Sequence, residues 1–409
     1  MMFDGALESL LREIGSTASG LGLTAWAVGG AARQHLTGEI LKDIDTAVEG
    51  PATGLAERLA SAWGAEVTAH DAFGTVTLVR PDGLSVDIAP TRTERYPAPG
   101  ALPVVAPASI EEDIARRDFT VNAIAVCLKP DRFGEVYDPT GGREDLNRKV
   151  LRILHPGSFR DDPTRLFRAA RYAVRYDLAL SAETDEAALA GNVMSLSSDR
   201  RRAEVEHICG EMRWAEMLVW LNRWGIWRTL SEGWEPALST LCRMDTVLNW
   251  AGRTLAGDHA TRKMRYLALC FHAPQALATA LSVRPEEQDI LTRARAVLES
   301  LKDPQDGPWY REMDNHPVEA LLAALTAIRR DPQKLRLTRY LAEIRHRVLE
   351  ITGNDLISAG ARQGPELGAA LRLTLDALRA GGVSDRSSQM KHALRVYREM
   401  VKSDTAGDS

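Results

Sequence analysis

The sequence predicts an α+β protein: a small head that mixes strands with helices, then a long all-α remainder. Three observations predict it. Period-two alternation rich in β-branched residues is confined to about the first 145 residues. Beyond about residue 150 that signal fades and helical periods run to the end. A chain of 409 residues is also too long for one ordinary core, so two to four domains are expected.

The elements follow in order. "MMFDGALESLLREIG" carries Asp4, Glu8 and Glu13, which argues against a signal or transit peptide and for an amphipathic helix. "LTAWAV" (23–28) is a short apolar strand stopped by Gly29-Gly30, and "AARQHL" continues as helix. "LKDIDTAV" (41–48), "AEVTAH" (65–70), "GTVTLVR" (74–80) and "LSVDIAPT" (84–91) read as strands. "RYPAPGALPVVAPAS" (95–109), with four prolines and a glycine, predicts an irregular, mobile loop. In "FRDDPTRLFRAARYAVRY" (159–176), Asp162 is a helix N-cap with Pro163 at the first helical position. Trp220, Trp224 and Trp227 at i, i+4 and i+7 predict an apolar helix face packed in a core rather than a platform for RNA bases. The closing "KSDTAGDS" predicts a frayed tail.

Composition narrows the function. With 44% hydrophobic and 26% charged residues the chain is of the soluble globular kind, and no run of about 18 apolar residues offers a membrane span. The net charge of −5 gives no global basic field, so any nucleic-acid contact must come from local patches. One such patch is residues 143–175, with nine Arg and Lys against four Asp and Glu. Cys127, Cys209, Cys242 and Cys270 are too far apart for metal-ligand spacing and predict reduced thiols of a cytosolic protein.

Three constellations carry chemistry. Gly29-Gly30 between strand and helix lets backbone approach a ligand, with unpaired N–H groups and Arg33 on the first turn facing a phosphate. A plain strand–helix turn has the same sequence. Asp43 and Asp45, two apart on a strand, share one face, and Asp87 between Val86 and Ile88 can join them. Like charges so close call for a cation, and hard oxygen ligands suit Mg²⁺ in an in-line phosphoryl or nucleotidyl transfer. A solvated edge strand and the D-x-D of a phosphohydrolase are the alternatives, the latter disfavoured because Ala47 stands where that motif has Thr or Val. In "EEDIARRDFTVNAIAV" (111–126), Arg116, Arg117 and Asp118 precede a strand-like segment with Asn122, suited to phosphate and ribose. In 159–176, Arg165, Arg168, Tyr172 and Arg175 share a helix face, and Asp162 paired with Arg165 can read a base edge. A capped, salt-bridged surface helix fits that spacing too.

In this order the motifs resemble those of the class II tRNA nucleotidyltransferases (CCA-adding enzymes) and their relatives the bacterial poly(A) polymerases, within the DNA-polymerase-beta-like nucleotidyltransferases. "VGGAARQHLTGEILKDID", "RRDFTVNAIA", "DPTGGREDL" (138–146), "RDDPTRLFRAARYA", "SDRRRAEV" (198–205) and "ITGNDLISAGARQGPELG" (351–368) carry the resemblance. It is strong over the first half and thin over 210–345. It implies a nucleotidyltransferase head over 1–145, a helical neck that recognises the base over 146–210, a helical body over 211–335, and a tRNA-binding tail over 336–409. It implies addition of CCA to tRNA 3′ ends from CTP and ATP, with Mg²⁺, in the cytoplasm, and no membrane or protein partner. Asp43 and Asp45 match the metal ligands, with Asp87 as a third acid. Gly29, Gly30 and Arg33 match the triphosphate site; Arg117, Asp118 and Asn122 the sugar and phosphates. Asp162 and Arg165 match the base-pairing residues, supported by Arg168 and Arg171. Gln34 departs from the family's acid, and Asp161 from its Glu. "FGTVTL" in place of the polymerases' G-R-[RK]-F favours a tRNA nucleotidyltransferase, and no H-D phosphohydrolase motif follows. The basic stretch "IRRDPQKLRLTRYLAEIRHR" (328–347) is a candidate grip on tRNA backbone, or a solvated helix face.

Overall fold

A computed structural model describes residues 5–37, 43–70, 74–257, 259, 261–302 and 308–407. The chain divides into two compact units, Met1–Glu235 and Pro236–Ser409.

The first unit opens with α1 (Gly5–Gly20), β1 (Thr24–Val28), α2 (Gly29–Thr37), β2 (Asp43–Glu49) and α3 (Ala52–Trp63). Then come β3 (Glu66–His70), β4 (Thr75–Val79), β5 (Ser85–Pro90), β6 (Arg92–Arg95), β7 (Val104–Pro107) and α4 (Ile110–Ala115). A 3₁₀ turn over Thr120–Asn122 leads into β8 (Ala125–Cys127), β9 (Val136–Tyr137) and α5 (Gly142–Asn147). Seven strands form one sheet in the order β3-β4-β5-β2-β1-β8-β9. β2 and β5 are parallel and the other neighbours antiparallel.

Alternation splits these strands between two faces. Ile44, Val48, Val76, Leu78, Val86 and Ile88 pack with Leu10, Leu11 and Ile14 of α1 and Leu55 and Leu59 of α3. The amphipathic first helix is thus what the sequence predicts, and it covers one face of the sheet. The other face carries Asp45 and Thr77, each in register with Asp87. Ile110 and Ile114 of α4 pack with Trp26, Val28, Ala47 and Ala125.

The proline-rich segment is not irregular throughout. β6 and β7 pair as an antiparallel ribbon, from Arg92↔Pro107 to Arg95↔Val104. A two-stranded ribbon tolerates proline because each strand has an outer edge that needs no donor. The ribbon is also tied down: Thr91 Oγ1 donates to Ala108 O at 2.5 Å and Arg116 Nε donates to Arg92 O at 2.8 Å.

The remainder of the first unit is helical apart from the short parallel pair β10 (Val150–Leu151) and β11 (Ala179–Leu180). Its helices are α6 (Ser158–Asp161), α7 (Thr164–Arg175), α8 (Ala182–Leu189), α9 (Ser198–Cys209), α10 (Trp214–Arg223) and α11 (Ile226–Leu230). The tryptophans do not share one helix. Gly225, left-handed at φ 66°, separates α10 from α11, so Trp227 lies on the second. The core reading holds for Trp224 and Trp227, which are buried; Trp227 Nε1 donates to Leu218 O at 2.8 Å.

The second unit is all helical: α12 (Leu238–Thr254), α13 (Arg262–His272), α14 (Gln275–Ala280), α15 (Pro285–Ser300), α16 (Pro308–Asp314), α17 (Val318–Ala327), α18 (Asp331–Arg339), α19 (Gly353–Ser358), α20 (Pro365–Ala380) and α21 (Arg386–Gly407). A π turn over Tyr340–Ile344 extends α18. The predicted frayed tail is helical to Gly407, because α21 continues through it. Among the described residues no helix is long and apolar enough to cross a membrane.

Candidate active site

The face of the sheet that carries the carboxylates opens into a cavity of about 820 Å³ within the first unit. One wall is Asp45 and Asp87 with Gly29 and Gly30; the far wall is Asp162, Arg165 and Arg168 of the α6–α7 segment.

The sheet wall is built by register and by glycine. β2 and β5 run parallel with Asp45 opposite Asp87, so both side chains project from the same face. Asp87 Oδ1 accepts from Thr77 Oγ1 at 2.6 Å. Asp45 Oδ2 accepts from the Gly30 N–H at 3.3 Å. Gly29 has φ 56°, and a Cβ there would fall 2.7 Å from Asp45 Oδ2. The paired glycines therefore let the start of α2 close on the carboxylate. Burial, reinforced by the Asp87 charge, pushes the Asp45 carboxyl above its usual range, against the pull of the Gly30 N–H, Arg117 and Arg33. The side chains of Asp43 and Gln34 lie outside the described residues, although Asp43 opens β2 opposite Ser85. Among the described residues no group of three or more His, Cys, Asp or Glu could hold a metal. Asp45 and Asp87 still fit one as donors. They are hard oxygen ligands side by side, and the penalty on charging Asp45 is one that a cation removes.

Between the walls runs a buried polar chain. Arg33 Nη1 donates to Asn122 Oδ1, and Asn122 Nδ2 donates to Asp118 Oδ1 at 2.9 Å. Asp118 Oδ2 accepts from Arg168 Nε at 2.7 Å. Burial raises the Asp118 pKa, but Arg168, the Asn122 bond and Arg165 outweigh it and hold the value at about 2. The 3₁₀ turn that places Asn122 is anchored from "DPTGGREDL". Asp138 caps α5 through the Gly142 and Arg143 N–H groups at 2.8 and 2.9 Å. Thr120 Oγ1 donates to Asp145 Oδ2 at 2.7 Å, and a Cβ on Gly142 would meet Thr120 O at 2.1 Å.

At the far wall the structure departs from expectation. Asp162 is not the N-cap of α7: Pro163 takes that place, the helix begins at Thr164, and from one residue further out Asp162 Oδ1 accepts from Thr164 N–H at 3.2 Å and Thr164 Oγ1 at 2.8 Å. Nor does its side chain pair with that of Arg165. Arg200 Nη2 donates to Asp162 Oδ1 at 2.9 Å. Arg165 donates from Nη1 to Ser158 Oγ at 2.7 Å and from Nη2 to Arg116 O at 2.8 Å. The reason is geometric: Pro163 is already helical, which turns the carboxylate back over the Thr164 N–H. Among the described residues the donors to the Asp162 carboxylate all reach Oδ1, which leaves Oδ2 as an acceptor on a residue that lines the cavity. Arg168 lines the cavity; Arg171 instead bonds Glu211 at 3.3 Å.

Several site residues were not singled out from sequence. Asp113 is buried and binds Arg116 and Arg117 at 2.6 and 2.9 Å, orienting both guanidinium groups. Its spacing of three and four before those arginines on a helix was the available signal. Burial works to raise its pKa, but the two arginines bring it below the ordinary value. Glu204, from "SDRRRAEV", lines the cavity with Oε2 buried and unbonded, and burial raises its pKa. Tyr176 had no signal beyond its place four residues after Tyr172.

Residues 25–152 match the poly(A) polymerase head domain. Over 414 residues the chain is 32% identical to an A-adding tRNA nucleotidyltransferase of Geobacter sulfurreducens, covering 95% of this chain but 47% of that one. The chain thus spans about half the length of that relative. Over 372 residues it is 32% identical to a CC-adding tRNA nucleotidyltransferase of Deinococcus radiodurans, covering 90% of this chain and 88% of the relative. The solved structure of a CCA-adding enzyme in an apo form superposes with a TM-score of 0.78 at 25% identity, covering 96% of both chains. With a relative of this identity matched along nearly all of both chains, the protein belongs to the tRNA nucleotidyltransferase family.

Proposed function

We propose that this protein adds CCA to the 3′ end of tRNA from CTP and ATP, releasing pyrophosphate. The observation that carries the reading is the cavity itself: strand carboxylates on one wall, a base-sized acceptor and donor set on the other, and buried arginines between them. Asp43, Asp45 and Asp87 would hold Mg²⁺, which when bound activates the terminal ribose hydroxyl and offsets the triphosphate charge. The protein's own part is positioning. Arg33 and Arg117, with the Gly29-Gly30 backbone, grip the phosphates. Asp118 and Asn122 set the arginines and border the sugar. Asp162 and Arg165 meet the Watson–Crick edge, supported from within the cavity by Arg168, while Arg171, bonded to Glu211, braces the same helix from outside it. In this reading head (1–145) and neck (146–210) hold the nucleotide, body (211–335) and tail (336–409) hold the tRNA, and the enzyme works in the cytoplasm.

A second reading, addition of CC or of A alone, is favoured by the relatives of higher identity, which are partial adders by name. One assay separates them. Transcripts ending before C, after C and after CC are each offered CTP, ATP, UTP or GTP, and products are sized. Stops after each correct nucleotide through to A support full CCA addition. A stop at CC, or extension only of the CC-ended transcript, replaces it with a partial adder. Long A tails indicate a poly(A) polymerase, and phosphate loss without extension a phosphohydrolase. Binding without either reaction leaves an RNA-binding relative.

A further inference from the structure

We propose that Tyr176 is a positioning residue for Arg33, fixing the triphosphate-gripping guanidinium from the helix that also carries the base-reading side chains; this rests on the nucleotide-addition reading above. Arg33 lies on α2 and is buried. Its Nη1 donates to Asn122 Oδ1, and its Nη2 donates to the Tyr176 hydroxyl at 3.1 Å. The guanidinium carbon also lies 5.0 Å from the centre of the Tyr176 ring and 5.5 Å from that of Tyr172. Those two rings stack at 6.0 Å and 15°.

Tyr176 is well placed for this role. It closes α7, its N–H bonded to Tyr172 O at 3.1 Å, so its ring is fixed by the helix that begins beside Asp162. It is half-buried and lines the cavity. Asn122 holds one terminal nitrogen of Arg33. The tyrosine hydroxyl holds the other nitrogen, and a planar fork pinned at both ends meets phosphate oxygens without losing further freedom. The bonds also close into a ring. From Arg33 they pass through Asn122 and Asp118 to Arg168, whose Nη2 donates to the Tyr172 hydroxyl at 3.2 Å, and the stack returns to Tyr176. The phosphate side of the cavity is thereby held in register with the base side.

The role is specific: Tyr176 should matter to the grip on phosphates and equally for every base. Tyr176→Phe keeps the ring and its stack and deletes the bond. KM for CTP and for ATP should rise by the same factor, about fivefold, the scale of one modest hydrogen bond converted at a decade per 1.4 kcal/mol. The pyrophosphate inhibition constant should rise by that factor too, with kcat and the CTP-to-ATP preference unchanged. In an Arg33→Lys background the same change should add nothing. Unaltered pyrophosphate inhibition overturns the proposal, as does a loss confined to one nucleotide, a fall in kcat at constant KM, or additivity with Arg33→Lys. Calorimetric binding of pyrophosphate gives the same comparison without turnover. It still tests Tyr176 if the wild type fails to extend tRNA, an outcome that would remove the function reading alone.

Discussion

The two compact units bury polar side chains in opposite ways. In the first, Arg33, Asp113, Asp118, Asn122 and Arg165 are all buried and their bonds run together around one cavity. In the second, buried Thr326, Tyr340 and Asp376 bond half-buried or exposed partners on neighbouring helices. His272 meets Thr326 at 3.0 Å, Tyr340 donates to Asp314 at 2.5 Å beside Arg379, and Arg311 pairs with Asp376 across α16 and α20. Such a staple ties two or three side chains locally. A connected set of arginines and carboxylates costs desolvation at every member and is kept where a charged ligand must be held in a fixed frame. The contrast is what the proposed placement of nucleotide chemistry in the first unit leads one to expect, and substitutions can break it.

The largest effect should come from Asp45→Ala. Removing a carboxylate that faces Asp87 across the sheet should lower nucleotide addition at least about a thousandfold, the scale of several kcal/mol of lost charge stabilisation. The affinity for tRNA, measured by filter binding, should stay within about twofold, since that grip is a sum of separate phosphate contacts. Retained addition would remove Asp45 from the metal site. Lost tRNA binding would mean that the two roles are not divided as the contrast suggests.

A second test uses acid, which should act on the staples before it acts on the network. His272 is held near a pKa of about 4, chiefly by burial and then by the Arg243 and Arg329 charges, against an ordinary 6.5. An unfolded chain takes up that proton first. Stability is then complete above pH 6.5 and is lost as pH falls toward about 4, by up to about 3 kcal/mol. His272→Gln should flatten the slope of the thermal midpoint over that window. Asp118, held at about 2 against 3.8, keeps its contribution of about 2 kcal/mol until pH falls below about 4. Equal slopes for wild type and His272→Gln between pH 6.5 and 4 would contradict the staple.

How much of this was legible in sequence follows the same division. The strands β4 and β5 were readable because one face packs and the other does not, which writes period two into the chain. Asp87 could be placed beside Asp45 only as a candidate, because register is a property of two strands and neither states it alone. The β6–β7 ribbon was hidden by prolines that a two-stranded edge accepts. The break at Gly225 was hidden because tryptophan spacing alone cannot distinguish one helix from two. In the site, residue types were legible but partners were not. The spacing of Asp162 and Arg165 permitted a pair, yet each found a nearer partner in Arg200, Ser158 and the Arg116 backbone.

That last departure sharpens the smallest of the expected effects. A carboxylate spent on its neighbour could not read a base, whereas Asp162 receives Arg200 and Thr164 on Oδ1, which leaves Oδ2 as an acceptor. Asp162→Ala should therefore narrow the preference for CTP and ATP over UTP and GTP by about tenfold, the lower part of the range for one lost base contact. Loss of the bonds from Thr164 at the start of α7 should cost about 1 kcal/mol of stability besides. The two consequences separate in Asp162→Ser. A serine restores an acceptor to the Thr164 N–H but offers no second oxygen toward the base. Recovery of the thermal midpoint without recovery of nucleotide choice would show that Oδ2 does the reading. Joint recovery would reduce Asp162 to a support for the Thr164 N–H, and base choice would then rest on Arg165 on the same wall of the cavity.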